Sequence, residues 1–195
     1  MTAQESVNNT NTRDFYDLKK ANIITQKKGL PFMMASVIVW GAILAVQYFV
    51  QGLNEKNFST FCCSCLLMPL AIMFSRMLGT KIRDKSGNPL SNLGFKLTLT
   101  QMIYILIVMW AYAEAPEKMV MIYAIVFAAH LFPFAWLYDS RTYFTFSLVE
   151  AGAALVIGVK LGSIYVAGFM VIAQAIMAGL LYLEVKNCAD NGYSV

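Results

Sequence analysis

Met119-Val-Met-Ile-Tyr-Ala-Ile-Val-Phe-Ala-Ala-His-Leu-Phe-Pro-Phe-Ala-Trp-Leu137 decides how this chain is read. It is an apolar run long enough to cross a bilayer as one helix. Inside it lies His130, the only histidine of the protein. An ionisable group at membrane depth is costly, so it faces a protein interior or a wet cavity and marks a functional-site hypothesis.

The rest of the chain agrees with that reading. The sequence is 58% hydrophobic and 13% charged, with mean hydropathy +0.59. A soluble domain carries about a quarter charged residues. The apolar residues come in blocks, and six reach spanning length at about residues 30–50, 58–78, 95–113, 118–138, 142–159 and 163–183. The fold class expected is therefore all-α: a polytopic bundle of six transmembrane helices occupying residues 30–184. A polar tail (1–29) precedes it and a short one (185–195) follows. No apolar stretch begins before Leu30, so a cleaved signal peptide is not expected, and the first tail reads as partly disordered or as a surface helix. The fifth and sixth spans, separated only by Lys160-Leu161-Gly162, should form a tight hairpin.

Basic residues set the orientation. Arg13, Lys19, Lys20, Lys27 and Lys28 precede the first span. Arg76, Lys81, Arg83, Lys85 and Lys96 surround the second connection, Arg141 lies in the fourth, and Lys186 follows the last span. The opposite side holds only Lys56, Lys118 and Lys160. Both termini are expected in the cytoplasm of a multi-pass cell-membrane protein, and the even number of spans agrees. The cytoplasmic surface charges Arg76, Asp84, Asp139 and Arg141 are expected to pair there.

The second and fourth spans end alike, with Leu67-Met-Pro-Leu-Ala-Ile-Met-Phe74 and then Arg76, and with Leu131-Phe-Pro-Phe-Ala-Trp-Leu-Tyr138 and then Arg141. Two readings stand, a repeat of helix hairpins and chance in a biased composition. Under either, Pro69 and Pro133 should kink their helices and each free a carbonyl.

Counting about 1.5 Å per residue from the cytoplasmic end of each span places His130 and Glu150 at roughly 12 Å, Gln174 at roughly 13 Å and Gln101 at roughly 9 to 10 Å. Ser36 falls near the same level. Lipid satisfies none of these groups, so each lowers its cost by meeting another. An imidazole and a carboxylate at one depth can share a proton, a device of proton-coupled transporters. The alternative is that the polar layer only ties helices together through hydrogen bonds of about 1 kcal/mol or less.

Other groups point less sharply. Cys62, Cys63 and Cys65 sit in one span. Thiolates bind soft metals, but adjacent cysteines point to different helix faces and no second histidine completes a site, so packing is the reading and no metal or cofactor is expected. Asn57-Phe58-Ser59 fits a glycosylation sequon. Trp110, Tyr112, Trp136 and Tyr138 fall at span ends, where amphipathic rings favour the headgroup level. Trp40 lies mid-span and should pack between helices, and Gln47 reads as interfacial.

Lys27-Lys28-Gly29-Leu30-Pro31-Phe32, Trp40, Asn88-Pro89-Leu90 and Met121 to Tyr138 resemble a family of small bacterial membrane proteins of unknown function, over about residues 27–145. A Gly-Ala-His-Phe-Phe-Pro-like segment of that family stands where this chain has Ala128-Ala-His-Leu-Phe-Pro133. The resemblance implies a multi-helix inner-membrane protein of bacterial origin and no activity. Two functional classes remain. One is a small transporter-like protein with a site around His130 and Glu150. The other is a non-catalytic subunit, sensor or immunity-type factor whose polar residues only pack helices. No complete catalytic constellation argues for an enzyme. The partners expected are the bilayer, a small molecule or proton, and a second copy or another membrane protein, with no sign of nucleic-acid binding.

Overall fold

A computed structural model describes residues 3–80 and 87–190, with side chains for residues 14–80 and 87–188. Eight α-helices follow one another: α1 (Ala3–Gln26), α2 (Leu30–Phe49), α3 (Leu53–Cys65), α4 (Leu67–Met77), α5 (Pro89–Glu114), α6 (Met119–Leu137), α7 (Arg141–Lys160) and α8 (Ser163–Asp190). No strand occurs among the described residues. Where consecutive helices are taken through their bends, six are long and apolar enough to cross a membrane: Asp14–Phe49, Leu53–Met77, Pro89–Glu114, Pro116–Leu137, Arg141–Lys160 and Ser163–Cys188.

Local chemistry explains several helix ends. At α5, Pro89 occupies the first helical position, and the Asn88 side chain accepts a hydrogen bond from the Leu90 amide at 2.9 Å. Both are favoured there because the first amides lack helical partners. Ser140 plays the same part for α7, accepting from the Tyr143 amide. Pro69 interrupts its helix: α3 stops at Cys65 and α4 resumes at Leu67, since Pro69 cannot donate to the Cys65 carbonyl. Pro133 behaves differently and lies inside an unbroken α6.

The polar tail is more structured than composition suggests. α1 runs to Gln26, and its inner face is buried at Asn22 and Gln26. The Asn88 amide donates to the Leu18 carbonyl at 2.8 Å and ties this helix to the start of α5. The last helix likewise continues beyond the apolar stretch, through Glu184 and Lys186 to Asp190.

The helices form an incomplete ring in the order α4, α2, α8, α7, α6, α5, each packed on the next. α4 and α5, its two ends, make little or no contact with each other. α3 closes one end of the gap, where the buried Asn57 donates to the Pro116 carbonyl at 2.8 Å. That contact hides the sequon in the folded protein. The core is aromatic at its centre, as expected for Trp40. The Trp40 ring is fully buried, 5.2 Å from Tyr123 and 5.8 Å from Phe127 between centroids. Trp110 and Trp136 are exposed, but Tyr138 is buried and bonds to Gln26 rather than facing outward. Gln47 is also buried and donates to Thr60 at 3.0 Å.

α6 packs tightly against α7 at Gly158. A Cβ there would lie 2.4 Å from Met121 Cγ. Gly158→Ala should therefore force the two helices or the Met121 side chain apart and cost about 1 to 3 kcal/mol, the usual range for overpacking. Thermal unfolding in detergent measures this, and an unchanged midpoint would show that Met121 yields freely.

Candidate functional site

Polar side chains of the predicted layer meet in two separate groups. The first is a closed chain across α2, α8 and α7. Ser36, Gln174 and Glu150 are each 0% exposed. Ser36 Oγ lies 2.7 Å from Gln174 Oε1 and 2.7 Å from the Met33 carbonyl, so its single hydrogen serves both acceptors. Gln174 Nε2 donates to both carboxyl oxygens of Glu150 at 2.9 Å. The side-chain oxygens of Gln174 and Glu150 all have partners, and none of the three residues lines the cavity described below.

His130 and Gln101 belong to the second group, on the other side of the ring. Among the described residues His130 makes no hydrogen bond with Glu150. Its Nδ1 lies 3.5 Å from Thr100 Oγ1 on α5, and its ring sits edge-on to Tyr104 and Phe134. The expected proton-sharing pair is therefore not formed. The physical reason is that Glu150 turns to α8 while His130 turns to α5. His130 and Gln101 instead line one cavity of about 370 Å³, bordered by α2, α3, α4, α5 and α6 together with Gln26 of α1 and Tyr143 of α7.

Among the described residues the lining is mostly apolar and includes no Lys, Arg, Asp or Glu. Four buried side-chain polar atoms among the described residues lack a hydrogen-bond partner: both amide atoms of Asn22, Trp40 Nε1 and Gln101 Oε1. Only Gln101 of these three residues lines the cavity. An orphaned buried acceptor costs about 1 to 3 kcal/mol, so this one calls for an explanation.

Beneath the cavity lies the turn Lys27-Lys28-Gly29, which the sequence marks for orientation and for the family resemblance but not as part of a site. Lys27, Lys28 and Gly29 all have positive φ, at 45°, 51° and 68°. For the two lysines this left-handed backbone costs of order 1 kcal/mol each. Side chains hold it. Lys27 Nζ donates to the Leu78 carbonyl at the end of α4, and Tyr143 Oη donates to the Lys28 carbonyl. Lys28 Nζ forms a part-buried ion pair with Glu184 at 2.7 Å, and Glu184 also accepts from Ser140 and Thr142. Gly29 has a second reason to be glycine, because a Cβ would lie 2.9 Å from Tyr143 Oη. Gln26 joins the same cluster, accepting from Tyr138 Oη and donating to Ser91.

The surface charges do not pair as expected. Asp139 lies 3.9 Å from Lys19 and is 84% exposed at its side chain. Arg76 and Arg141 have no ion-pair partner among the described residues, because each projects outward from a helix end. Asp84 lies outside the described residues. The four cysteines carry no disulfide, and no group of three or more metal-ligating side chains forms among the described residues.

These features define a class: an all-α bundle of six long apolar helices with a largely apolar cavity held between its two unpaired ends. The chain belongs to a family of unknown function, DUF7010, whose model matches residues 15–184. The match extends from within α1 into the last turns of α8, well beyond the stretch that carries the resemblance in the sequence. Neither the curated proteins nor the solved structures contain a match.

Proposed function

We propose that the chain is a multi-pass membrane protein with both termini in the cytoplasm, and that it binds a small molecule in the cavity around His130 and Gln101, as a transporter-like protein would. The observation that carries this reading is the cavity itself. It has the size of a small-molecule site, an apolar wall and a buried acceptor without a partner. The concentration of Lys and Arg near the ends of α1, α4 and α5 supports the orientation. No enzymatic role is proposed, since the described residues of the lining offer one histidine and no carboxylate.

A ligand and pH thermal-shift screen of the purified full chain tests it. A binder should raise the unfolding midpoint of the native protein, and His130→Ala should abolish that rise while leaving the unliganded midpoint within a few degrees. A rise that survives in His130→Ala, or a screen without any rise, would count against the cavity as the site.

The second reading, in which polar groups only pack helices, fits Ser36, Gln174 and Glu150. Their satisfied hydrogen bonds and complete burial favour it for those three residues. The polar layer then has two roles, one for each group.

A further inference from the structure

The chemistry of the cavity narrows its occupant, and the argument rests on the reading above. We propose that the cavity takes a neutral single-chain amphiphile from the bilayer through the gap between α4 and α5, and holds a hydroxyl or amide of that molecule against Gln101 and His130.

The mouth points to the route. Cys65 at the end of α3, and Leu99 and Met102 on α5, line the cavity and are also exposed on the outer surface of the helices. They flank the gap where the ring is open. An opening rimmed by such residues on apolar helices faces hydrocarbon rather than water, so a lipid-soluble molecule reaches it without leaving the membrane.

The wall points to a neutral ligand. A phosphate or ammonium head drawn inside would lose its hydration and find no ionic side chain among the described residues of the lining. Gln101 and His130 lie roughly 9 to 12 Å below the headgroup boundary by helix rise, which makes that loss heavier. A two-chain phospholipid is therefore the wrong class.

Spare hydrogen-bonding capacity points to the head. Around the cavity Tyr138 donates to Gln26, Thr98 donates to the Gly94 carbonyl, and Ser64 donates to the Phe61 carbonyl. Gln101 is 9% exposed, its Oε1 is unpartnered, and its amide nitrogen makes no hydrogen bond among the described residues. The one hydrogen-bond contact of His130 among the described residues is the long one to Thr100. A hydroxyl or an amide both donates and accepts, so it satisfies the glutamine oxygen and one further donor at once. The lining also runs along α5 from Gly94 to Ile105, roughly 16 Å of helix rise, which suits an extended chain.

The test uses the full chain in phosphatidylcholine nanodiscs with Trp110 and Trp136 replaced by Phe. Trp40 remains as the reporter, because it packs on Tyr123 and Phe127 of the cavity wall. Four bromine-tagged probes are compared: 12-bromododecan-1-ol, 12-bromododecanoate, a 12-bromododecyl trimethylammonium and 1-bromododecane. The alcohol should quench Trp40 saturably, at concentrations about ten-fold below the other three, the scale of one hydrogen bond to a buried acceptor. Gln101→Leu should remove that advantage. It should also keep or raise the unfolding midpoint, since it deletes the orphaned oxygen. Leu99→Phe with Met102→Phe should slow the onset of quenching several-fold.

Equal quenching by all four probes, or an alcohol advantage that survives Gln101→Leu, would overturn the proposal. Preference for the carboxylate would show an anionic ligand instead, and unaltered onset in the narrowed mouth would refute the lateral route. If no probe reaches Trp40 while a screened ligand still gives a His130-dependent shift, the amphiphile is wrong and the site stands. If both fail, the site falls with it.

Discussion

Lys28→Ala should destabilise the folded protein by about 3 kcal/mol, toward the low end for breaking a buried ion pair because Glu184 keeps a quarter of its side-chain exposure. The loss comes less from the missing attraction than from what remains. Glu184 would stay between α7 and α8 with only the hydroxyls of Ser140 and Thr142 to stabilise its charge. Lys28 also sits in left-handed backbone, and without its anchor the turn between α1 and α2 loses one of the contacts that outweigh its strain. A double replacement, Lys28→Met with Glu184→Gln, should recover much of the loss, since no uncompensated charge is left. Unfolding midpoints of Lys28→Met, Glu184→Gln and the double variant give the coupling directly. Additive losses would show that the pair is not coupled.

Gln174→Leu is the second large effect. Among the described residues it removes the only side chain that donates to Glu150 and the only side-chain acceptor of Ser36. A fully buried carboxyl group without a partner costs well over the 1 to 3 kcal/mol of a neutral orphan, and a loss of about 3 to 4 kcal/mol is expected by the same comparison. Adding Glu150→Leu to Gln174→Leu should restore stability toward that of the native protein. If it does, and ligand binding persists in the double variant, these residues are helix packing and the cavity works without them. If binding disappears while the variant stays folded, Glu150 belongs to the site after all.

Depth along a helix is legible in a sequence, and direction around it is not. The apolar windows predicted six long helices because a bilayer demands about 20 apolar residues for each crossing. Rise per residue placed Ser36, Glu150 and Gln174 at one level, and they do touch. The same arithmetic placed His130 beside them, yet it faces α5. A soluble helix shows its inner face by a polar stripe on the outer one. These helices are apolar on every side, so that contrast is missing and azimuth was unreadable. Helix ends escaped for a related reason. α5 begins at Asn88-Pro89, a capping signal visible in the sequence, whereas its apolar stretch begins only near Phe95. Lys28 and Glu184 escaped because each stands just outside an apolar window, where a charge looks solvated. Depth counting would have put both at the same end of the bundle, and nothing in it shows that they meet.

The claim on which the rest depends is that the space between α4 and α5 is a ligand site. An experimental density map of the full chain purified in native lipid tests it most directly. The account predicts elongated density between these helices, with one end within hydrogen-bonding distance of Gln101 and Glu150 still bonded to Gln174. A cavity closed by α4 packed on α5, or Glu150 turned toward His130, would contradict it.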